Sequence, residues 1–246
     1  MKKLLVILFS ILMVISLSAC GNKAEETPQE QLVDPAPTAK DTYATFDAAS
    51  VDDEVELLMS VQAHESWWDN KVTVYGQDDD GGYFVYDLAC DEATANAMTP
   101  GTLIRVKGYK AEWSGQIEIV DGTVEIIAGG YDGKVYEPED LTALLSNNDE
   151  LVKKINKKAL FKNLTVVDYT YNWDGSGTRD DSDIYLNVTA EDGTAATFVV
   201  RRYLTDNNSD VFKAVEALVA GDVVDLSAFV YWYNGPQCRI IEVNKH

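Results

Sequence analysis

The sequence is poor in positive charge, in histidine and in cysteine. Its 246 residues include 20 Lys and Arg against 41 Asp and Glu, which gives a formal net charge of −21 at pH 7. A field of this sign repels phosphate backbones, and nucleic-acid binding needs clusters of basic residues. Nucleic-acid binding is therefore disfavoured, and binding to anionic lipid head groups is disfavoured as well.

Motifs of known enzyme classes are also missing. The sequence has no nucleophile elbow, no P-loop, no Gly-x-Gly-x-x-Gly, no Cys-x-x-Cys and no His-x-x-x-His. Of its 2 histidines, His246 is the last residue, so His64 has no evident triad partner. Acidic residues are plentiful, but no spacing singles out a catalytic pair. The sequence thus predicts a protein that is not an enzyme.

The N-terminus carries a long apolar run. Met1-Lys2-Lys3 precedes an apolar core from Leu4 to Leu17, and Ser18-Ala19-Cys20 follows. The run is too short to span a membrane and ends in small residues, which is typical of a signal peptide over residues 1–19. The last four residues also resemble a bacterial lipobox. That resemblance implies a palmitate-type lipid on Cys20, which would anchor the protein at the extracellular face of the cell membrane. The alternative is a plain secretory signal with an incidental cysteine.

Residues 20–42 have the composition of a disordered tether. They contain several acidic residues, the three prolines Pro28, Pro35 and Pro37, and almost no apolar periodicity. Such a segment cannot bury enough surface to order itself. We expect it to space the folded part away from the membrane.

The rest of the chain is organised around a stretch that occurs twice, at 101–120 and at 221–241. Each copy opens with Gly, continues as an alternating apolar strand, turns at an aromatic–polar–Gly triplet and returns as a second strand. Three strand-like segments and a short helix precede each copy, which is the order of an OB-fold barrel. The predicted fold is mainly β, with two tandem OB-fold-like five-stranded barrels over residues 43–130 and 161–246.

Residues 131–160 change to a helical period. Leu141, Leu144, Leu145 and Leu151 recur at helical spacing, and Asn148 is placed to cap a helix that is basic toward its end. These residues predict a helical connector between the barrels. Its lysines indicate a solvated face rather than a nucleic-acid patch.

Several strings resemble those of exported bacterial lipoproteins with one or two OB-fold-like domains. They are Ser66-Trp67-Trp68-Asp69-Asn70, Gly82-Tyr83-Phe84-Val85-Tyr86, Gly108-Tyr109-Lys110-Ala111-Glu112-Trp113-Ser114-Gly115 and Phe229-Val230-Tyr231-Trp232-Tyr233-Asn234-Gly235. With the lipobox, the resemblance covers nearly the whole chain and implies fold and location. The group has no settled activity, so it assigns no catalytic residue.

Aromatic residues on the loops are the candidate ligand contacts. OB barrels bind oligonucleotides and oligosaccharides with strands 2 and 3 and with loops 1–2 and 4–5. The residues that this rule singles out are Trp67, Trp68, Tyr86, Trp113, Trp173, Trp232 and Tyr233. They predict a non-catalytic binding protein for a cell-envelope glycan or peptide. For the aromatics, the alternative is core packing. For the protein, the alternatives are a scaffold that docks another envelope protein and, less favoured because of the negative charge, a nucleic-acid-binding OB protein.

The repeats also raise the question of one ligand or two. The two copies differ most in the loops that face the aromatic turns Trp113-Ser114-Gly115 and Tyr233-Asn234-Gly235. If both barrels bind, we therefore expect them to bind different ligands.

Acidic loops suggest Ca²⁺ as the sole cofactor to consider. The carboxylates are Asp78, Asp80, Asp174, Asp181 and Asp183. Ca²⁺ takes six to eight oxygen ligands, but neither loop has the EF-hand spacing, and solvated turns are the alternative.

Two cysteines remain besides Cys20. Cys90 and Cys238 occupy non-equivalent places in the two repeats. They are therefore either buried free thiols or a bridge between the barrels.

Overall fold

The computed structural model describes residues 36–128 and 131–246. The predicted leader, the predicted lipidated Cys20 and most of the predicted tether lie outside the described residues. Among the residues described, no helix is long and apolar enough to cross a membrane. The predicted fold class is confirmed, because this part of the chain forms two successive strand-rich barrels with short helices.

The elements follow one another in two similar series. The first series is α1 (Tyr43–Ala48), β1 (Glu54–His64), β2 (Lys71–Gln77), β3 (Gly82–Ala89), α2 (Glu92–Ala97), β4 (Leu103–Trp113) and β5 (Gln116–Ile126). The second series is β6 (Glu139–Asp140), α3 (Asn148–Leu151), β7 (Lys158–Tyr171), β8 (Ile184–Thr189), β9 (Ala195–Val200), α4 (Arg202–Thr205), α5 (Asp210–Glu216), β10 (Val223–Phe229) and β11 (Arg239–Lys245).

The first barrel is closed in the order β1-β2-β3-β5-β4, with β4 returning to pair antiparallel with β1. The helix α2 lies between β3 and β4, as in OB folds. Alternate side chains of the strands point inward, and Tyr83 and Val85 of β3 are both fully buried. Ala95 and Met98, in and directly after α2, complete this core.

The helix α1 was not anticipated by the apolar pattern. The Thr42 side chain caps it, and Phe46 enters the first core. Lys110 on β4 lies under its C-terminus, where the Nζ donates to the carbonyl oxygens of Phe46, Asp47 and Ala49 at 3.0, 2.7 and 2.8 Å. The last residues of the predicted tether therefore belong to the folded barrel.

The second barrel has the strand order β7-β8-β9-β11-β10, and β10 returns to pair with β7. The short strand β6 adds a parallel partner to the start of β7. The helices α4 and α5 lie between β9 and β10. Phe212 and Val215 of α5 are fully buried in the second core, so α5 holds the place that α2 holds in the first barrel.

The connector differs from the expected helical bridge. Its helical elements are single turns, namely α3 and the 3-10 turns Thr142–Leu144 and Val152–Lys154, and it also contains β6. Asn147, rather than Asn148, caps α3 by accepting from the Glu150 N–H at 3.3 Å. Leu141, Leu145 and Leu151 are buried in the second core. The spacing of the leucines therefore reflects their packing onto the second barrel. The predicted connector also includes the first residues of β7, which begins at Lys158.

Candidate functional site

The two repeated aromatic turns lie against each other. The Asn234 N–H donates to the Ser114 carbonyl oxygen at 2.8 Å, and the Trp232 N–H donates to Gln116 Oε1 at 2.9 Å. Gly115 has φ +89°, and a Cβ there would lie 2.6 Å from Trp232 Cδ1. The junction of the barrels is therefore built from the closing hairpins of both repeats.

Aromatic packing extends this junction along the outer face of the first barrel. Tyr75 on β2 and Phe84 on β3 point away from their own core, yet they are only 1% and 4% exposed. The Tyr75 ring stacks on Phe229 of β10 at 4.5 Å, and Phe84 meets Tyr231 edge-on at 5.4 Å. Strands 2 and 3, the usual OB binding face, thus pack partly against the second barrel.

Beside these contacts, the two barrels leave a cleft of about 840 Å³, which we call the inter-barrel cleft. The first barrel lines it with Glu65, Thr73, Tyr75, Phe84, Tyr86, Trp113 and Glu118, and the second with Trp173, Tyr185, Arg201, Tyr231, Tyr233, Gln237 and Arg239. Aromatic rings dominate this lining, with two arginines and two glutamates among them. Such a concave, mostly apolar site with a few polar groups is typical of ligand binding.

The cleft adjoins a second depression of about 1130 Å³ on the outer face of the second barrel, which we call the second-barrel groove. Trp173, Tyr185, Tyr233 and Gln237 line both. The groove runs over β8 and β9 and between loops 1–2 and 4–5 of the second barrel. The two depressions therefore adjoin each other along these four residues, and we call them together the composite groove.

The lining of the second-barrel groove is rich in amides and hydroxyls. These residues are Ser146, Asn147, Asn148, Thr170, Asn187, Thr194, Thr197, Asn234 and Gln237. Within it, Asn187 donates to Asp168 Oδ1 at 2.7 Å and accepts from the Thr197 hydroxyl at 2.8 Å. These short bonds hold the polar side chains of neighbouring strands in fixed positions.

An ion-pair network joins the two barrels at the inter-barrel cleft. Arg201 Nε lies 3.2 Å from Glu65 Oε1, and its Nη1 lies 3.1 Å from Asp183 Oδ2. The Tyr75 hydroxyl donates to the same Glu65 oxygen at 3.2 Å. Burial opposes the charge on Arg201, but the two carboxylates outweigh it and raise the pKa of Arg201. The network links both barrels and keeps the arginine charged.

Arg239 differs from Arg201 in its hydrogen bonding. It is only 8% exposed, and its Nε and Nη1 have no hydrogen-bond partner among the described residues. Its guanidinium carbon lies 4.1 Å from the centroid of the Tyr231 ring. A cation over an aromatic face is attracted to it, but the contact does not replace hydrogen bonds.

Burial raises the pKa of two tyrosines and one glutamate in the lining of the cleft. Burial raises the pKa of Tyr75, with Glu65 adding to the shift, and burial raises the pKa of Tyr185 as well. Burial, together with Asp87, also raises the pKa of Glu118. The tyrosine hydroxyls therefore remain hydrogen-bond donors at neutral pH.

Four of the predicted ligand-binding residues meet in the composite groove. Tyr86, Trp113, Trp173 and Tyr233 line it with rings that are 46%, 61%, 73% and 45% exposed. These exposed fractions are large for aromatic side chains. The rings are thus available to a ligand.

The other three predicted residues do not line the groove. Trp67 donates its indole N–H to the Cys90 carbonyl oxygen at 3.0 Å and packs against the first core. Trp68 is 80% exposed at the tip of its loop, away from the cleft lining. Trp232 packs against the second core. Two of these rings are thus used for packing and the third lies outside the lining of the groove, so ligand contact by these three residues stays a prediction.

Glu65, Phe84, Glu118, Arg201 and Arg239 line the cleft but were not singled out from the sequence. Only Phe84 left a signal. In Tyr83-Phe84-Val85-Tyr86 both alternating sets are apolar, which marks a strand with partners on both faces. The charged residues gave none, because their positions depend on how the barrels dock.

The acidic residues predicted to hold Ca²⁺ are not brought together. In the part of the chain that the structure describes, no group of three His, Cys, Asp or Glu residues could hold a metal. Asp78 and Asp80 belong to one turn, in which Asp78 Oδ1 accepts from the N–H groups of Asp80 and Gly81. Asp174 accepts from Ser176 N–H, Asp181 from the Thr178 hydroxyl, and Asp183 pairs with Arg201. Each carboxylate instead stabilises its own loop or ion pair.

The two cysteines of the barrels are free thiols, and Cys238 is buried in the second core. Burial raises the pKa of Cys238 to about 12. The sequence left open either free thiols or a disulfide between the barrels. In the structure, Cys90 and Cys238 are free thiols and form no disulfide with each other.

Comparisons with known proteins bear only on the general fold. No protein-family model matches the chain, and no curated protein matches it significantly. The p204 HINb domain aligns with 80% of this chain and 100% of its own, at 12% identity and a TM-score of 0.38. A murine DNA-binding protein bound to double-stranded DNA covers 78% and 99%, at 12% identity and 0.37. A Replication Protein A heterotrimer bound to single-stranded DNA covers 81% and 51%, at 9% and 0.33. Likeness at this level does not indicate what this chain binds.

Proposed function

We propose that the chain is a non-catalytic saccharide-binding protein whose composite groove holds one extended glycan. The observation that carries this proposal is that the two depressions of the composite groove share four lining residues and that exposed rings of both barrels line them. The OB fold is itself used to bind oligosaccharides and oligonucleotides. The side chains that line the groove distinguish between these two classes of ligand.

The chemistry of the lining favours a sugar chain. A pyranose ring has an apolar face of C–H groups, which stacks on aromatic rings, and a rim of hydroxyls that both donate and accept hydrogen bonds. Trp113, Trp173 and Tyr233 supply the rings. The amide and hydroxyl side chains of the second-barrel groove supply partners of both kinds.

The charge of the lining disfavours a nucleic acid. The composite groove contains two arginines, Arg201 and Arg239, against four acidic residues, Glu65, Glu118, Asp149 and Asp168. Arg201 is already paired with two carboxylates. A groove that follows a phosphate backbone needs an excess of basic side chains along it.

Location and anchoring complete the proposal. The leader and Cys20 support a lipid-anchored protein on the extracellular face of the cell membrane, where envelope glycans are within reach. Labelled palmitate fed to cells is expected to enter the wild type and not a Cys20→Ala variant. Absence of label from the wild type, or equal label in both proteins, would remove the anchor from this account.

A glycan array that includes peptidoglycan fragments tests the binding function. We expect the full chain to bind a set of related oligosaccharides, and a Trp113→Ala, Trp173→Ala double variant to lose them. A Trp68→Ala variant is the control, because that ring is exposed but outside the groove. An array with no binding, and an envelope protein cross-linked through the groove instead, would replace the saccharide proposal by the scaffold alternative.

A further inference from the structure

We propose that the inter-barrel cleft recognises an anionic substituent on the saccharide, a carboxylate or a phosphate, through Arg239. This inference rests on the proposed function and assigns a chemical class to its ligand.

The first observation is the isolation of the Arg239 charge. Arg239 is only 8% exposed, and its Nε and Nη1 atoms have no hydrogen-bond partner among the described residues. Removing a guanidinium from water is unfavourable unless hydrogen-bond or charge partners compensate for the lost hydration. Buried polar groups without partners are rare in folded proteins and call for an explanation, such as a bound ion or ligand group.

The second observation is the contrast with Arg201, which lines the same cleft. Arg201 has carboxylates at 3.2 and 3.1 Å, from Glu65 and Asp183. No such ion pair is formed by Arg239 in the described part of the chain. Of the two arginines in the cleft, Arg239 is therefore the one whose guanidinium can donate hydrogen bonds to an anionic group of the ligand.

The third observation is the way in which Arg239 is held. Its guanidinium lies 4.1 Å from the Tyr231 ring centroid, and Tyr231 in turn contacts Phe84. A planar guanidinium stacked on a fixed ring is preorganised to pair with a carboxylate or phosphate. The neighbouring rings of Tyr86 and Trp113 lie in the same lining and can hold the sugar that carries the anion.

The overall charge gives this site an unusual dependence on salt. The protein carries −21, so an anionic sugar is repelled at long range while it is attracted at Arg239. Salt screens the long-range repulsion more than the buried contact. We expect added salt to leave the affinity unchanged or to raise it, whereas phosphate-tracking grooves lose affinity steeply.

The test compares three trisaccharides by calorimetric titration of the full chain. They are tri-galacturonate, the same trisaccharide with its carboxyl groups reduced to alcohols, and the reduced form bearing one phosphate. The variants are Arg239→Met, which keeps the stem over Tyr231 without the charge, Arg239→Lys, which keeps the charge, and Arg202→Met. Arg202 is the control, because it lies near the cleft but does not line it.

We expect the wild type to bind at least one anionic trisaccharide about tenfold or more tightly than the neutral one. That preference disappears in Arg239→Met, returns in part in Arg239→Lys and is kept in Arg202→Met. The anionic trisaccharide that binds more tightly shows whether the site prefers a carboxylate or a phosphate. Melting curves check that each variant is folded.

Two results would overturn the inference. Equal affinity of the wild type for anionic and neutral forms would leave saccharide binding intact but remove the anion site. An equal loss for both forms in Arg239→Met and Arg239→Lys would reduce Arg239 to a structural role. Absence of binding by all three, together with an empty glycan array, would contradict the proposed function itself.

Discussion

The backbone N–H of Asn234 donates a hydrogen bond to the carbonyl oxygen of Ser114 at 2.8 Å. These residues occupy equivalent positions in the two copies of the repeated turn. The repeat therefore does more than close each barrel, since its two copies bind to each other. Together with the Trp232–Gln116 hydrogen bond and the packing of Tyr75 on Phe229, this contact holds the barrels beside each other at the composite groove.

Replacing Gly115 by alanine tests the junction. A Cβ at Gly115 meets Trp232 Cδ1 at 2.6 Å, and the residue also has φ +89°. We expect Gly115→Ala to lower the free energy of unfolding by ~1–3 kcal/mol more than backbone strain alone. The measurement is urea unfolding followed by tryptophan fluorescence.

Gly193→Ala is the matched control for that experiment. Gly193 has φ +88°, but nothing lies within 4 Å of its added Cβ. It therefore reports the strain of the left-handed backbone without the clash. Equal losses in the two variants would show that the close approach to Trp232 does not constrain the junction.

Lys110 is expected to be essential for the first barrel. Its Nζ donates to three carbonyl oxygens at the end of α1, and the residue is 7% exposed. Lys110→Met leaves these acceptors without the charged donor, so we expect a loss of ~2–4 kcal/mol in the free energy of unfolding. Lys107→Met on the same strand removes only an exposed pair with Glu54 and should cost less than about 1 kcal/mol. A loss for Lys110→Met as small as that of the control would contradict the role of this lysine.

Glu118 gives a prediction for the dependence of stability on pH. Burial and Asp87 raise its pKa in the folded protein above the ordinary 4.5, while Glu65, Arg201 and Arg239 share the cleft. The protonated Glu118 carboxyl therefore contributes fully to the free energy of unfolding below the pKa that it has in the unfolded chain. This contribution is lost as the pH rises through the higher pKa of the folded protein. Glu118→Gln should be more stable than the wild type at pH 7, by less than about 1 kcal/mol because the group is half exposed.

The stability gained by Glu118→Gln is expected to vanish near pH 4, where the wild-type carboxyl becomes protonated in both states. Glu112→Gln removes the same charge from an exposed position on the neighbouring strand, and its stability should stay within about 0.5 kcal/mol of the wild type. A gain for Glu118→Gln that does not change between pH 4 and pH 7 would mean that titration of this carboxyl is not its cause.

Local patterns in the sequence were enough to predict the barrels. The alternation along β1, the turn before Gly82 and the two Gly-to-Gly hairpins each follow from residue type and spacing. The helical period of Leu141, Leu145 and Leu151 predicts a helical bridge, but these residues reach the second core from single turns and the segments beside them. Periodicity reports which residues are buried, but it does not say against which element they pack.

The docking of the barrels could not be read from the sequence. It depends on contacts between distant residues, such as Gln116, whose side chain bonds both Asn156 and the Trp232 N–H. For this reason the sequence suggested separate sites with different ligands, whereas the structure joins the faces of both barrels. The same docking brings Arg239 beside Tyr86 and Trp113 in one lining.

The central claim is that both barrels contribute to one binding site, and the stoichiometry of binding tests it most directly. Calorimetric titration with an oligosaccharide from the array should give one site per chain. Trp113→Ala in the first barrel and Trp173→Ala in the second should each weaken binding by about tenfold or more, while Trp68→Ala leaves it unchanged. Two independent sites per chain, or a loss from only one of the two groove variants, would contradict a composite groove.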